Sequence, residues 1–222
     1  MTKKKPSILV IDDSRLNRAV IAKTLTELEM NITEAVDGLN GLDKFSEKEY
    51  DLVLVDLIMP NMDGIGFLKA VREKRLNLFI PIILMTGNED LDSKISGLNV
   101  GAEDFLTKPI DQKELVARVY SLLRSKKAHD QLLEKNNQIK NEMIAAKKIQ
   151  QFILPDTFEI SYPKVHGLYQ PLEEIGGDFY DCFELNDNMT GFLICDVTGH
   201  GIPAALVVTM SKMIFSIYAP RL

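Results

Sequence analysis

The stretch SILVIDD, residues 7–13, begins with a short apolar run and ends abruptly in two aspartates. Residues 14–28 then carry apolar side chains at helical spacing, and residues 31–35 return to a strand pattern. The alternation continues, with strands predicted at 51–55, 80–84 and 103–106 and helices at 38–47, 65–75, 90–99 and from Asp111 onward. Strands alternating with helices in this way predict an α/β fold with a five-stranded, doubly wound parallel sheet.

Polar side chains follow the predicted strands at the points where the strands end. Asp12 and Asp13 follow the first strand, Asp56 the third, Thr86 the fourth and Lys108 the fifth. Ligands of such sheets bind outside the carboxyl ends of the strands. Converging carboxylates repel one another unless a hard divalent cation such as Mg²⁺ lies among them, and a lysine supplies positive charge for an anion. We therefore predict a site for phosphoryl transfer to an aspartate.

Four motifs contain these strand-end residues: VIDDS (10–14), VDLIMPNMDG (55–64), MTG (85–87) and AEDFLTKP (102–109). On these motifs, residues 1–121 resemble a response-regulator receiver domain. The resemblance implies a flavodoxin-like fold and a phosphoacceptor at Asp56. The phosphoryl donor would be a phosphohistidine on a cognate histidine kinase or a phosphotransfer protein.

The same resemblance implies a role for each matching position. Asp13, Asp56 and the backbone carbonyl of Ile58 would bind Mg²⁺, and Asp12 would act partly through water. The Thr86 hydroxyl would hydrogen-bond to phosphoryl oxygens, and Lys108 would pair with them. Phe105 lies where the family carries an aromatic switch, and because it lacks the hydroxyl of tyrosine, a switch there must work by packing. The Lys108–Pro109 bond is a candidate cis peptide.

A long helix is predicted in the middle of the chain, because no Gly or Pro occurs between Asp111 and Ile153. Within residues 122–154, positions separated alternately by three and four residues form a possible coiled-coil seam. One of its two series is apolar, and the other is mostly polar and includes Asn136 and Gln150. Polar residues in such a seam fix the register of a coiled coil, so this linker predicts a parallel homodimer. The predicted seam residues are Leu132, Asn136, Ile139, Met143, Ala146 and Ile153. A single helix packed on its own domain is the alternative.

Residues 155–222 return to a strand pattern. Strands are predicted at 164–170, 178–185 and 191–197, followed by a mostly buried helix at 200–218. Two acids lie at strand positions beside glycines, since Asp178 follows Gly176–Gly177 and Asp196 precedes the sequence VTGHG. Glycines let the backbone approach a ligand closely, and carboxylates on strands make rigid metal ligands.

Three motifs carry a second resemblance: AAKKIQQFILP (145–155), IGGDFYDCFEL (175–185) and ICDVTGHGIPAAL (194–206). They resemble metal-dependent PPM-type serine/threonine phosphatases of bacterial partner-switching anti-sigma systems. The resemblance implies a pair of Mn²⁺ or Mg²⁺ ions bound by Asp178, Asp196 and the backbone carbonyl of Val197. Metal-activated water would attack a phosphoserine or phosphothreonine on a protein such as an anti-sigma antagonist.

The phosphatase domain of that family is much longer than the 68 residues that follow Leu154. We therefore expect residues 155–222 to be the N-terminal fragment of an α+β phosphatase domain. A longer parent protein would be a hydrolase, whereas this chain would be inactive as a phosphatase. Such a fragment would expose an apolar helix face and unpaired strand edges.

Two other outputs are compatible with the sequence. The chain could be a non-catalytic adaptor in which the receiver and the coiled coil bind a signalling partner. The tripeptide GGD at 176–178 also resembles the diguanylate cyclase signature, but the following Glu is absent and Phe179 comes one place early. DNA binding has the least support, because no helix-turn-helix pattern follows the receiver and the basic residues of 122–154 alternate with apolar ones.

The composition excludes further classes. The chain has 26 Lys and Arg against 32 Asp and Glu, a net charge of −6, which divides into −4 for residues 1–121, +4 for 122–154 and −6 for 155–222. No apolar run of about 18 residues could span a membrane, and the N-terminus lacks the pattern of a signal peptide. Cys182 and Cys195 have no metal-binding spacing. We therefore expect a cytoplasmic protein that binds neither nucleic acid nor membrane.

Overall fold

The computed structural model describes residues 5–74, 79–87, 99–153, 165–168, 175–186, 189–199 and 201–218. The chain divides into two compact units, residues 1–132 and residues 133–222. Among the described residues, no helix is both long and apolar enough to cross a membrane.

Unit one is built on a parallel sheet, as the alternating pattern predicts. Its strands are β1 (Ser7–Ile11), β2 (Asn31–Ala35), β3 (Leu52–Asp56), β4 (Ile82–Thr86) and β5 (Asp104–Thr107). They lie in the order β2-β1-β3-β4-β5, and all neighbours are parallel. Its helices are α1 (Arg15–Thr26), α2 (Gly38–Glu47), α3 (Gly64–Lys74) and the beginning of α4 (Gln112–Ile153). The predicted five-stranded doubly wound sheet is confirmed.

Helices cover both faces of this sheet, so the side chains of its central strands are buried on both sides. Every residue of β3 and β4 is buried, as expected for parallel strands between two helical layers. One face packs against α2 and α3, for example through Phe45 and Phe67. The other packs against α1 and α4 through Leu25 and Leu115. The two apolar layers fix the positions of the strand ends. The polar residues that directly follow the strands are therefore fixed as well.

Strand β4 begins two residues later than the sequence pattern predicts. The fourth strand was predicted at 80–84 but runs from Ile82 to Thr86. Pro81 has no N–H to donate to a neighbouring strand, and its carbonyl instead accepts a hydrogen bond from the Val53 N–H at 3.0 Å before the ladder begins. Residues 90–98 of the helix predicted at 90–99 lie outside the described residues.

Helix α4 begins at the predicted place. The Asp111 carboxylate accepts a hydrogen bond from the Glu114 N–H at 2.9 Å, which is the contact of a helix N-cap. The helix then continues without interruption to Ile153. Within unit one, Lys126 is only 8% exposed, and its ammonium donates to the Phe79 carbonyl at 3.2 Å and to Asp130. The first part of α4 is therefore fixed to unit one.

Unit two contains two antiparallel strands, β6 (Asp178–Asn186) and β7 (Met189–Asp196), and helix α5 (Ile202–Tyr218). Both predicted strands are confirmed within a few residues. Helix α5 covers one face of the pair through Ala204, Ala205 and Val208, which are buried, and the buried Phe179. Lys212 of α5 forms an ion pair with Asp181 of β6.

Two predictions for this unit are wrong. The strand predicted at 164–170 is not formed over its described residues, Val165–Leu168. That segment lies against a tyrosine ring of the sheet face, since a Cβ on Gly167 would be 2.4 Å from Tyr180 Cε2, and a segment on a face cannot join the ladder at an edge. Helix α5 is also not mostly buried. Apolar residues such as Met210 and Met213 are 62% and 58% exposed, because among the described residues a sheet of two strands covers only one side of it.

Candidate functional site

Three carboxylates meet at the carboxyl end of the parallel sheet. Asp12 and Asp56 lie side by side because they follow Ile11 and Val55, which are register partners in β1 and β3. One carboxylate oxygen each from Asp12, Asp13 and Asp56 lies within 4.8 Å of the others. Asp12 is fully buried and Asp56 is 6% exposed, whereas Asp13 is exposed. The predicted convergence of these three acids is therefore present.

Lys108 lies against the two buried members of this group. Its Nζ is 2.8 Å from Asp12 Oδ2 and 2.6 Å from Asp56 Oδ2. The lysine follows β5 directly, and its backbone N–H donates to the Thr86 carbonyl at 2.7 Å, which extends the ladder beyond β4. The Lys108–Pro109 peptide bond is cis, as predicted.

Residues of α1 orient the first acid pair, and the sequence interpretation missed them. The Asn17 side-chain amide is 3.2 Å from each carboxylate oxygen of Asp12, and the Ser14 N–H donates to Asp12 Oδ1 at 2.8 Å. The guanidinium of Arg18 donates to the carbonyls of Asp12 and Asp13 at 2.7 and 3.2 Å. Only the positions of these residues could have indicated their role, because the first turn of α1 lies next to the end of β1.

The pKa shifts of Asp56 and Lys108 follow from burial and from the contacts between them and Asp12. Burial raises the pKa of Asp56, and the negative charge of Asp12 adds to this, while hydrogen bonding and attraction from Lys108 oppose it. Burial lowers the pKa of Lys108, but its hydrogen bonds and charge interactions with Asp12 and Asp56 outweigh burial and leave the pKa raised. The site is therefore an ammonium held between carboxylates that still carry excess negative charge.

The donor set fits a hard divalent cation. Three carboxylates at this separation are the oxygen ligands that Mg²⁺ takes in proteins, and a cation there would relieve their repulsion. The Ile58 backbone hydrogen-bonds to the Asp56 carboxyl, so the backbone of this loop lies beside the carboxylate. Ligation by the Ile58 carbonyl stays a prediction.

The loop after Asp56 is held from both ends. A Cβ on Gly64 would lie 2.4 Å from the Asp56 carbonyl oxygen, so only glycine fits there without moving the backbone of Asp56. Asn61, with a φ of 64°, donates from its side chain to Asp37 Oδ2 at 2.7 Å. Hydrogen bonds from Asn40 and then Asn61 lower the pKa of Asp37. This contact between two loops was also missed, because nothing in the local sequence pairs them.

The model of the family described as "Response regulator receiver domain" matches residues 8–120, which is about half of the chain and contains every residue of this group. The chain belongs to the response regulator receiver domain family. Receiver domains belong to two-component phosphorelay systems and interact with histidine kinases or phosphotransfer proteins.

Similar proteins agree with this assignment over the same half of the chain. The protein named "Probable transcriptional regulator ycf27" of Porphyridium aerugineum is 38% identical over 120 residues, which cover 54% of this chain and 49% of that protein. The response regulator ArlR of Staphylococcus aureus (strain Mu50 / ATCC 700699) is 33% identical over 123 residues, 55% of each chain. This chain thus spans about half the length of these curated relatives. The solved receiver domain of the Francisella response regulator 1452 is 34% identical with a TM-score of 0.51, covering 55% of this chain and 98% of that one.

Two further predicted residues of the receiver, Thr86 and Phe105, lie on the adjacent strands β4 and β5. Thr86 ends β4, is 2% exposed, and follows Met85, the register partner of Asp56. Phe105 of β5 packs partly buried against the core, with the guanidinium of Arg118 5.7 Å from the centre of its ring. The roles of Thr86 in phosphoryl binding and of Phe105 in switching stay predictions.

The acids predicted in the second half of the chain also come together. Asp178 and Asp196 are direct register partners in the β6–β7 pair. Partial desolvation, followed by a hydrogen bond and the negative charge of Asp196, raises the pKa of Asp178. The Val197 N–H donates to the Gly177 carbonyl at 3.1 Å, which places the third predicted ligand beside the pair. A cavity of about 440 Å³ adjoins both carboxylates and continues between the two strands and Val165–Leu168.

The two acidic groups differ in the number of acids that they contain. Within the described residues, a set of three or more Asp, Glu, His or Cys side chains that could share one ion occurs only at Asp12, Asp13 and Asp56. At Asp178 and Asp196 the described part of the chain supplies two carboxylates. Metal binding there stays a prediction.

Proposed function

We propose that this chain is a response regulator that is phosphorylated on Asp56 and controls a metal-dependent protein serine/threonine phosphatase output. The observation that carries the input half is the position of Asp56, whose carboxylate lies 2.6 Å from Lys108 Nζ and within 4.8 Å of the carboxylates of Asp12 and Asp13. The observation that supports the output half is the register pairing of Asp178 with Asp196.

The receiver chemistry follows from the contacts of Asp56. A carboxylate oxygen of Asp56 attacks the phosphorus of a phosphohistidine, so a P–O bond forms as the P–N bond breaks and the imidazole leaves. Lys108, already 2.6 Å from Asp56, then pairs with the new phosphoryl oxygens, and Thr86 donates its hydroxyl to one of them. Mg²⁺ held by Asp13, Asp56 and the Ile58 carbonyl, with Asp12 acting partly through water, would supply positive charge against the incoming phosphoryl group. The donor is a cognate histidine kinase or phosphotransfer protein.

The output proposal rests on the second half of the chain. Asp178, Asp196 and the Val197 carbonyl would hold Mn²⁺ or Mg²⁺, and the substrate would be a phosphoserine or phosphothreonine protein such as an anti-sigma antagonist. A non-catalytic adaptor is the second candidate, favoured by the presence of only two carboxylates in the described part of this site. The transcriptional role in the name of ycf27 belongs to that protein, whose match covers only 54% of this chain.

Mn²⁺ binding tests the output proposal. In ¹⁵N NMR spectra of the full chain, Mn²⁺ should broaden the amide signals of residues 177–179 and 195–197, because carboxylates on paired strands hold the paramagnetic ion beside them. Asp178→Asn should abolish this broadening, whereas broadening around Asp56 should persist. Glu184→Gln, a carboxylate change on the same strand, is the matched control and should leave both effects. Equal broadening of residues 177–179 in Asp178→Asn would refute a metal site there.

We also propose that the linker forms a parallel homodimer. Leu132 and Ile139 of the predicted seam are 60% and 53% exposed on α4, and Asn136 between them is exposed as well. A second copy of α4 would cover this stripe, and the polar Asn136 would fix the register. Met143 and Ala146 of the same seam are partly exposed, and the side chain of Ile153 lies outside the described set.

Ile139→Lys should therefore dissociate the dimer. Removing an apolar side chain worth about 1.5–3 kcal/mol on burial raises the dimer dissociation constant by about tenfold or more. Sedimentation velocity across a concentration series measures this constant. Ile144→Lys makes the same change on the side of α4 away from the seam, where Ile144 is 39% exposed, and should leave the dimer intact. A monomeric wild-type chain, or equal weakening by both substitutions, would contradict the proposed seam.

A further inference from the structure

Gln150 is a buried polar residue on a helix turn that is otherwise mostly exposed. It is 4% exposed, whereas its neighbours Ile149 and Phe152 are 61% and 93% exposed. Its side-chain Nε2 donates to the Gly176 carbonyl at 2.6 Å, and the Gly176 N–H donates to its Oε1 at 3.2 Å. One amide side chain therefore satisfies both backbone groups of a single glycine, as a neighbouring strand would.

The glycine that Gln150 holds is two residues from the acid pair. Gly177 packs so closely on the opposite loop that a Cβ there would lie 2.8 Å from the Val197 carbonyl oxygen and 3.2 Å from that of Gly199. Its own carbonyl accepts the Val197 N–H at 3.1 Å. The next residue is Asp178, directly opposite Asp196. The contacts thus run from α4 to Gly176, then Gly177, and from there to both proposed ligand segments.

We propose that Gln150 is a positioning residue for the Asp178–Asp196 pair and that, through it, the last turn of α4 controls the geometry of this site. The inference rests on the proposed function for the meaning of the site and adds to it the side chain by which the linker acts. Gln150 touches neither carboxylate and acts only through the Gly176–Gly177 backbone.

Two physical arguments support a positioning role. Consecutive glycines have more backbone freedom than any other pair, so Gly176–Gly177 does not hold Asp178 in place by itself. Hydrogen bonds also weaken steeply with misalignment, so a small rotation or shift of the last turn of α4 would break both bonds to Gly176. The site is therefore well ordered only when α4 presents Gln150 correctly, and α4 is the helix that begins in the receiver at Gln112.

The first test needs no metal and uses amide hydrogen exchange in the full chain. In Gln150→Ala, the Val197 N–H should exchange about tenfold faster or more, because its acceptor Gly177 is no longer held. Gln151→Ala changes the adjacent glutamine, which is exposed, and should leave exchange at Val197 unchanged. Amides of β1 and β3 report in each variant that the receiver is still folded. Equal exchange at Val197 in Gln150→Ala and in the wild-type chain would overturn the inference.

A second variant covers the case in which Gln150→Ala disrupts unit two. Gln150→Glu keeps the length of the side chain and an acceptor for the Gly176 N–H, but removes the donor to the Gly176 carbonyl. Exchange at Gly176 should then stay near its wild-type value while exchange at Val197 rises. If both amides behave as in the wild-type chain, the donor has no positioning role.

Mn²⁺ titration connects the positioning to the site. The apparent affinity reported by broadening of residues 177–179 should fall about tenfold or more in Gln150→Ala, the usual effect of losing a residue that orients metal ligands. It should be unchanged in Gln151→Ala. If Mn²⁺ does not broaden these signals in the wild-type chain, the metal site of the proposed function is wrong, and the exchange rates at Val197 alone decide the role of Gln150. Equal Mn²⁺ affinities in the two variants and the wild-type chain would overturn the inference while leaving the metal site standing.

Discussion

Asp56→Asn is expected to abolish phosphorylation of the chain by a small phosphodonor such as acetyl phosphate in the presence of Mg²⁺. The reason is chemical, because an amide oxygen carries no full negative charge and is a poor nucleophile toward phosphorus. We expect the attack from Asp56 because it shares Lys108 with Asp12, while Asp12 also accepts hydrogen bonds from the Asn17 side chain and the Ser14 N–H. Intact-protein mass spectrometry measures the incorporated phosphoryl group.

The matched control for this prediction is Asp43→Asn, the same change at an exposed aspartate of α2. It should incorporate the phosphoryl group at the wild-type rate. Removing Mg²⁺ with a chelator should suppress incorporation in the wild-type chain as well, because Asp12, Asp13 and Asp56 then face the donor with uncompensated charge. Wild-type incorporation in Asp56→Asn would show that another residue is the phosphoacceptor.

Lys108→Met is expected to destabilise the receiver by about 3 kcal/mol or more when Mg²⁺ is absent, the usual cost of removing one partner of a buried ion pair. The substitution keeps most of the side-chain volume but leaves Asp12, which is fully buried, and Asp56 without their shared cation. Urea unfolding followed through the NMR signals of β1 and β3 measures the change in the free energy of unfolding.

Mg²⁺ provides the second half of this experiment. A divalent cation among the carboxylates replaces the lost charge, so saturating Mg²⁺ should stabilise Lys108→Met more than it stabilises the wild-type chain. Lys113→Met, the same change at an exposed lysine in the first turn of α4, should alter neither the stability nor the response to Mg²⁺. If Lys108→Met and Lys113→Met unfold at the same urea concentration without Mg²⁺, the contacts of Lys108 contribute nothing to folding.

The receiver was largely predictable because its pattern is strong and repeated. Strands β1 and β2 and helix α2 begin and end at the predicted residues, and the predicted acids converge because strand ends in a parallel sheet meet at one edge. The shift of β4 reflects Pro81, whose missing N–H delays the ladder. The periodicity of apolar residues alone does not reveal such a local effect.

What could not be predicted depends on contacts between distant segments. The Asn61–Asp37 bond joins two loops 24 residues apart, and the Gln150–Gly176 contact joins a helix to a loop 26 residues later. The spacing rule for α4 assigned Gln150 to the polar part of a seam, since periodicity reports the face of a residue and not what covers that face. The burial of α5 was overestimated for the same reason, because the apolar pattern of a helix does not show how large a sheet surface covers it.

Gly64 has a consequence for how this receiver tolerates sequence change. The absent side chain leaves room for the carbonyl oxygen of Asp56, which would lie 2.4 Å from any Cβ at this position. We therefore expect substitutions of Gly64 to inactivate the receiver, although Gly64 would contact neither the cation nor the phosphoryl group. The side chain of Ile58, two residues after Asp56, is 73% exposed and is therefore free to vary. The sensitivity of a position in this loop to mutation thus depends less on its distance from Asp56 than on whether a side chain there would clash with the backbone.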